Sequence, residues 1–218
     1  MSPIPVYFEQ GRRRVFACVL DWPGWCRRDK TEELALDRLA AYAPRYAVAA
    51  RLAGLEPPDP GPAGFQATER LDSGFGADFG APMEIPRSDA APAGAEEARR
   101  MASLVSAAWQ VFDRAAAVPA ELRKGPRGGG RDLDKIIEHV AGADFSFARK
   151  LGVRHRSAPG DRAAVEAMRA GVLAVLASPS DGAPLAAKGW PARYGARRVA
   201  WHALDHAWEI EDRSVRPG

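Results

Sequence analysis

The sequence predicts an α+β protein in which a small α/β unit precedes four long helices. Three observations lead there. Two short β-prone runs flank a Gln10-Gly11 turn near the start. A Gly-, Ala- and Pro-rich stretch over 72–94 interrupts the chain. Beyond it, four segments carry apolar residues at helical spacing. The chain has 218 residues, 46% hydrophobic and 27% charged, enough for an ordinary globular core.

The first β-prone run is Val6-Tyr7-Phe8 and the second is 15–20, and together they read as a hairpin. Asp21-Trp22-Pro23-Gly24 breaks the second run. Asp29 or Thr31 then caps a helix with Glu32 and Glu33 in its first turn, where acids favour the helix dipole. Leu34, Leu36, Leu39, Tyr42 and Tyr46 form its apolar side, and it runs to about Leu52, just before Gly54. The prolines of 56–62 exclude helix and central strand. Residues 65–71 read as one more strand. The expected organisation is an α/β unit over 1–85, a linker over 86–94 and a helical unit over 95–218.

The first long helix is expected over 96 to about 118, stopped by Pro119. Lys124-Gly-Pro-Arg-Gly-Gly-Gly-Arg131 lacks the Gly-Lys-Ser/Thr ending of a phosphate loop and reads as a connector. Asp132 caps the second helix, which reaches Leu151 with Leu133, Ile136, Ile137, Val140 and Phe147 in its stripe. Asp161 opens the third, carrying Val165, Met168, Val172, Leu173 and Leu176. Pro191 starts the fourth, from about 192 to 212.

Net charge is +3, far from the charge density of a dedicated nucleic-acid binder, which argues against nucleic acid as a partner. Arg12-Arg13-Arg14, Arg27-Arg28 and Arg197-Arg198 are dispersed and interrupted by acids, and read as solvated surface. No charged and apolar leader opens the sequence and no apolar run reaches membrane length, so a cytoplasmic protein without membrane partners is expected. Its two cysteines, Cys18 in an apolar run and Cys26 beside Arg27, are then expected as reduced thiols, the first buried and the second at the surface.

The chain holds four histidines, and two of them read His202-Ala-Leu-Asp-His206. Residues four apart share a helix face, so both imidazoles can grip one ion from a single helix. On a wheel of about 100° per residue, Val199, His202, His206, Glu209 and Arg213 fall on one side, and Trp201, Leu204 and Trp208 on another. Glu209 is open to three roles: a further ligand, an orienter of a histidine, or a general base. An ion pair with Arg213 is the plain structural alternative. His139 lies beside the apolar stripe of the second helix, a position that suits either a group at the mouth of a bundle cavity or an ordinary exposed histidine. Ala203 stands where an HExxH glutamate would be, which excludes a zincin-type protease.

The segment Asp132-Leu-Asp-Lys-Ile-Ile-Glu-His139, with the fourth helix over 198–213, resembles the DinB-like (YfiT-type) family of metalloproteins. The resemblance covers about residues 95–213. It implies an up-down-down-up four-helix bundle with His139, His202 and His206 as ligands of a divalent metal (Zn²⁺, Ni²⁺ or Fe²⁺). It also implies thiol-dependent transfer or isomerisation, or hydrolysis, of a small-molecule substrate, with a low-molecular-weight thiol such as mycothiol, bacillithiol or glutathione as cofactor. Lys135, Arg149, Arg197 and Arg198 are the basic residues that would attract such an anion. Family members are often dimers, which makes a homodimer the oligomer to look for.

Residues 15–24 with the Thr31-Glu-Glu-Leu-Ala-Leu36 helix start resemble HicB-type antitoxin domains over about 4–52. That resemblance implies the α/β shape. It also leaves a second function open, a binding or regulatory module that meets its partner through surface arginines and two exposed aromatics, Trp22 and Trp25. As a third, structural role, the same segment could close over the metal site as a lid.

Overall fold

The computed structural model describes residues 2–61, 63–118, 121–124, 130–156 and 160–215. Among these residues the chain is a mixed α+β fold, with one four-stranded sheet and seven α-helices. The strands are β1 (Ile4–Gly11), β2 (Val15–Val19), β3 (Cys26–Asp29) and β4 (Phe65–Gly74). Helices α1 (Glu32–Ala41) and α2 (Ala43–Leu52) follow β3, and the single turn α3 (Gly76–Phe79) follows β4. The four long helices are α4 (Ala95–Ala116), α5 (Leu133–Lys150), α6 (Arg162–Leu176) and α7 (Ala192–Arg213).

The sheet order is β3-β2-β1-β4. The first three strands run as an antiparallel meander, and β4 returns parallel to β1. Alternation of side chains gives the sheet two working faces. Val6, Phe8, Val15, Ala17 and Val19 pack toward Ala35, Leu39 and Tyr46 of α1 and α2. Tyr7, Phe16, Cys18 and Cys26 point the other way, onto Trp201 of α7. The first of these cores is continuous with that of the long helices, where α4 and α5 each pack against both α6 and α7.

Strand β3 was not expected from sequence, because Arg27-Arg28-Asp29 has the polarity of a loop. An edge strand tolerates such residues. Its consequences correct several expectations. Cys26 lies opposite Cys18 in antiparallel register, and the two form a disulfide within the sheet rather than a buried and a surface thiol. Trp25 is fully buried, stacked on Tyr46, and its Nε1 donates to the Leu39 carbonyl. Trp22 is half-buried against the edge of the Tyr46 ring. The pair of exposed aromatics is therefore absent.

The arginine clusters also divide. Arg12 and Arg13 are exposed. Arg27 is buried between the rings of Tyr42 and Trp208 and bonds Asp205. Arg197 is buried and paired with Asp89. Their apolar stems and planar heads suit aromatic walls, so the sequence cluster did not translate into surface. Asp89 belongs to a 3-10 turn, Arg87–Ala90, so the stretch read as linker is pinned to α7.

The helix expected to run unbroken to Leu52 is divided at Tyr42. Pro44 sits in the first turn of α2, where its missing N–H costs nothing, and it cannot continue α1. Thr31 caps α1 by accepting from the Leu34 N–H, while Leu34 itself is exposed. Asp161 caps α6 through Ala164, whereas Asp132 precedes α5 without a side-chain cap bond. Pro119 and most of the glycine-rich connector lie outside the described residues. No helix among the described residues is long and apolar enough to cross a membrane.

Candidate metal centre

Helix α7 is buried on nearly every side, and its small residues permit that. Ala192, Gly195, Ala196, Ala200, Ala203 and Ala207 are all buried along it. A Cβ at Gly195 would collide with the Leu151 side chain at the end of α5. Glycine at this position therefore sets how closely α5 approaches α7. On the sheet side, Gly24 takes a left-handed φ of 94° and brings the turn after β2 against Ala200 and Leu204.

That approach brings three histidines together. His139 of α5 and His202 and His206 of α7 have ligand-capable atoms all within 4.8 Å of one another. His139 Nε2 lies 3.2 Å from His202 Nε2. Ligand bonds of ~2.0–2.1 Å in a tetrahedral site put neighbouring donor atoms about 3.3 Å apart. The observed separation therefore suits two ligands on one edge of such a site. His202 is buried, His206 is nearly so, and His139 is half-buried at the open side.

His206 Nδ1 lies 2.8 Å from Glu209 Oε2, and Arg213 Nη1 donates to Glu209 Oε1 at 2.6 Å. Because a carboxylate can only accept, the Nδ1–H donates and the Nε2 lone pair is left for the site. The ion pair with Arg213 and the contact with His206 are both present, so the two sequence alternatives coexist. The hydrogen bond from His206 is the largest influence holding Glu209 below the usual carboxyl range, and Arg213 adds to it.

The remaining electrostatics keep imidazoles neutral. Burial, reinforced by His206, His139 and Arg198, pushes His202 down to about 2. Burial, then His206, lowers His139 as well. Neutral imidazoles are the metal-binding form, so proton competition at these two positions is weak. The donor set and its spacing fit a divalent ion of the borderline class, for which imidazole suits zinc, nickel and iron alike.

Aromatic rings wall the cluster. Phe147, two turns beyond His139 on α5, meets the His202 ring edge-on at 5.5 Å, and Trp190 packs on Phe147 at 5.3 Å. Of the four basic residues weighed from sequence, Lys135 pairs with Glu138, Arg149 is exposed and Arg197 pairs with Asp89. Only Arg198 lies against the aromatic wall, over the rings of Trp201 and Phe147. It was not singled out from sequence, although its place one turn before His202 puts it on the histidine face.

Comparisons with known proteins leave this geometry to stand on its own: no family model matches the chain, and no curated protein or solved structure matches it.

Proposed function

We propose that this chain is a DinB-like metalloenzyme. In this reading α4–α7 form an up-down-down-up four-helix bundle that holds one divalent ion, Zn²⁺, Ni²⁺ or Fe²⁺, on His139, His202 and His206. The observation that carries the proposal is the convergence of three imidazoles from two helices, with Nε2 atoms of two of them 3.2 Å apart. A bound ion would supply Lewis acidity at a position left open by the three ligands, making a water or thiol there a nucleophile near neutral pH.

The protein's own contribution is orientation and exclusion of water. Glu209 holds the proton on His206 Nδ1 and so fixes which ring nitrogen faces the site. The hydrogen bond from His206, with a smaller contribution from Arg213, holds the Glu209 carboxyl below its ordinary value. With both carboxylate oxygens engaged, Glu209 is better suited to positioning than to general-base work. Phe147 and Trp190 shield the His202 side, while His139 borders the open side where a small-molecule substrate enters. Thiol-dependent transfer or isomerisation and hydrolysis both fit such a site, with a low-molecular-weight thiol as the cofactor of the first. The sheet buttresses α7 through Trp201 in this reading, and burial of Trp25 removes one of the features that favoured a HicB-like interaction module.

Metal analysis tests the proposal. Purified protein incubated with Zn²⁺ or Ni²⁺ and desalted is expected to retain about one ion per chain. The His202→Ala/His206→Ala double variant is expected to retain none while keeping its helical circular dichroism. Wild-type protein that stays metal-free after both incubations overturns the reading.

A further inference from the structure

A cavity of about 440 Å³ opens between α4, α5 and α6. That volume lies within the range of small-molecule sites, roughly 300–1,000 Å³. Phe112 and Ala116 of α4, Ile137 and Ala141 of α5, and Val165 of α6 give it apolar walls. His139 is two residues from each of the α5 pair, about 160° round the helix, so the imidazoles lie on the other side of α5.

Toward the middle of these helices the charges do not balance. Arg169 of α6 lines the cavity and donates through Nη1 to both carboxylate oxygens of Asp113 on α4, at 3.0 and 2.8 Å. Its Nη2 stands 3.7 Å from Asp144 Oδ2 of α5, beyond hydrogen-bond reach, and its Nε has no partner among the described residues. Asp144 follows Ala141 by one turn on the same face of α5. Its side chain is fully buried, and neither oxygen has a hydrogen-bond partner among the described residues. One guanidinium thus serves two carboxylates, and the buried one goes unsatisfied, a costly state for a charged group. Burial pushes the Asp144 carboxyl up to about 7, and Arg169 only partly offsets that. The rim has the same sign: Glu138, Asp161 and Glu166 stand against Arg162, with Lys135 paired to Glu138 from outside. What this cavity lacks is a positive charge.

We propose that this cavity binds a small amphipathic organic cation, a primary amine on an apolar body, with the Asp113 carboxylate as the partner of its ammonium. The apolar body packs on Phe112, Ile137 and Val165, as cavity walls of this kind favour. The Asp113 side chain is 56% exposed and lines the cavity, so an incoming ammonium reaches it without unfolding anything. Arg169 then has to close only ~1 Å to bond Asp144. Each carboxylate ends with a cation of its own. A bare metal ion suits the place less, because the three histidines are the group of metal-ligating side chains that converges among the described residues. The assignment stands independently of the metal centre.

Titration calorimetry on metal-free protein tests the assignment with 2-phenylethylamine, the neutral 2-phenylethanol and the anionic phenylacetate. The amine is expected to bind wild type about tenfold more tightly than the alcohol, as a charge-assisted bond does over a neutral one, with phenylacetate weakest. Asp113→Asn and Asp144→Asn each leave one carboxylate for Arg169, and each is expected to bring amine and alcohol within about threefold of one another. Ala141→Phe fills the cavity and is expected to weaken the amine by about tenfold or more. Wild type that binds no amine, or binds it no better than the alcohol, overturns the proposal. So does a full preference in either Asn variant, which assigns the cation to other carboxylates. Undiminished amine binding in Ala141→Phe places the ligand outside the cavity and overturns it too. Should Asp144→Asn or Ala141→Phe not fold, Asp113→Asn, at the exposed edge, decides alone.

Discussion

Removing the Glu209 carboxylate should weaken metal binding without removing a ligand. The structure sets the scale. Glu209 touches His206 Nδ1 at 2.8 Å and Arg213 at 2.6 Å, and its side chain is 30% exposed. Partners that orient a ligating histidine typically account for about 10- to 100-fold in metal affinity, or ~1.4–2.7 kcal/mol. Glu209→Gln keeps an acceptor for the Nδ1–H but loses the charge that roughly doubles such a bond, so a loss near tenfold is expected. Glu209→Ala frees the ring to rotate and to place its proton on Nε2, so the loss should approach 100-fold. Arg213→Met, one step further out, should cost only about threefold. Zinc competition against a chromophoric chelator near neutral pH reads all three. A Glu209→Ala affinity within about twofold of wild type refutes the orienting argument. A loss as complete as that of His206→Ala refutes it in the other direction, because Glu209 would then be a ligand itself.

Two further outcomes follow from the same packing. Burial raises the Glu9 carboxyl to about 7, so the folded state holds a proton that the unfolded chain, with an ordinary value of 4.5, has lost. The stability this contributes is present below the unfolded value and disappears as pH rises through about 7. Glu9→Gln, which cannot ionise, should therefore gain stability relative to wild type between pH ~5 and ~8 in urea titrations, and a pH-independent difference would count against the burial argument. Gly195→Val should cost about 1–3 kcal/mol by overpacking against Leu151, and should also lower zinc affinity by separating α5 from α7; a variant with wild-type stability and affinity would show that the helix spacing is set elsewhere.

Periodicity carried much of the fold. The long helices, the hairpin and β4 follow from apolar spacing, caps and breakers, because each element buries a face that its own sequence spells out. What escaped was decided by partners distant in sequence. β3 is a strand because β2 is beside it, and its charged residues are tolerated because Arg27 finds Tyr42, Trp208 and Asp205. Trp25 looked exposed beside a turn, yet Tyr46 and the Leu39 carbonyl complete its burial from α2 and α1. The Cys18–Cys26 pairing required the register of a strand that local polarity concealed.

The histidines show the same division. The helical wheel could put His202, His206 and Glu209 on one side of α7, and the structure joins His206 to Glu209 there. It could not bring in His139, because nothing in α5 alone says which helix it will face; only a resemblance suggested that partner. Arg198 and Arg197 were also weighed together from sequence, although neighbours in a helix do not share a face. A helix places consecutive residues about 100° apart, so one arginine turns to Asp89 and the other to the aromatic wall beside His202. Burial of α7 on both of these sides is what turns a common His-x3-His spacing into a candidate centre. The sheet fixes one flank through Trp201 and Arg197, α5 fixes the other through Gly195 and Leu151, and the imidazoles are left with little freedom except to face one another.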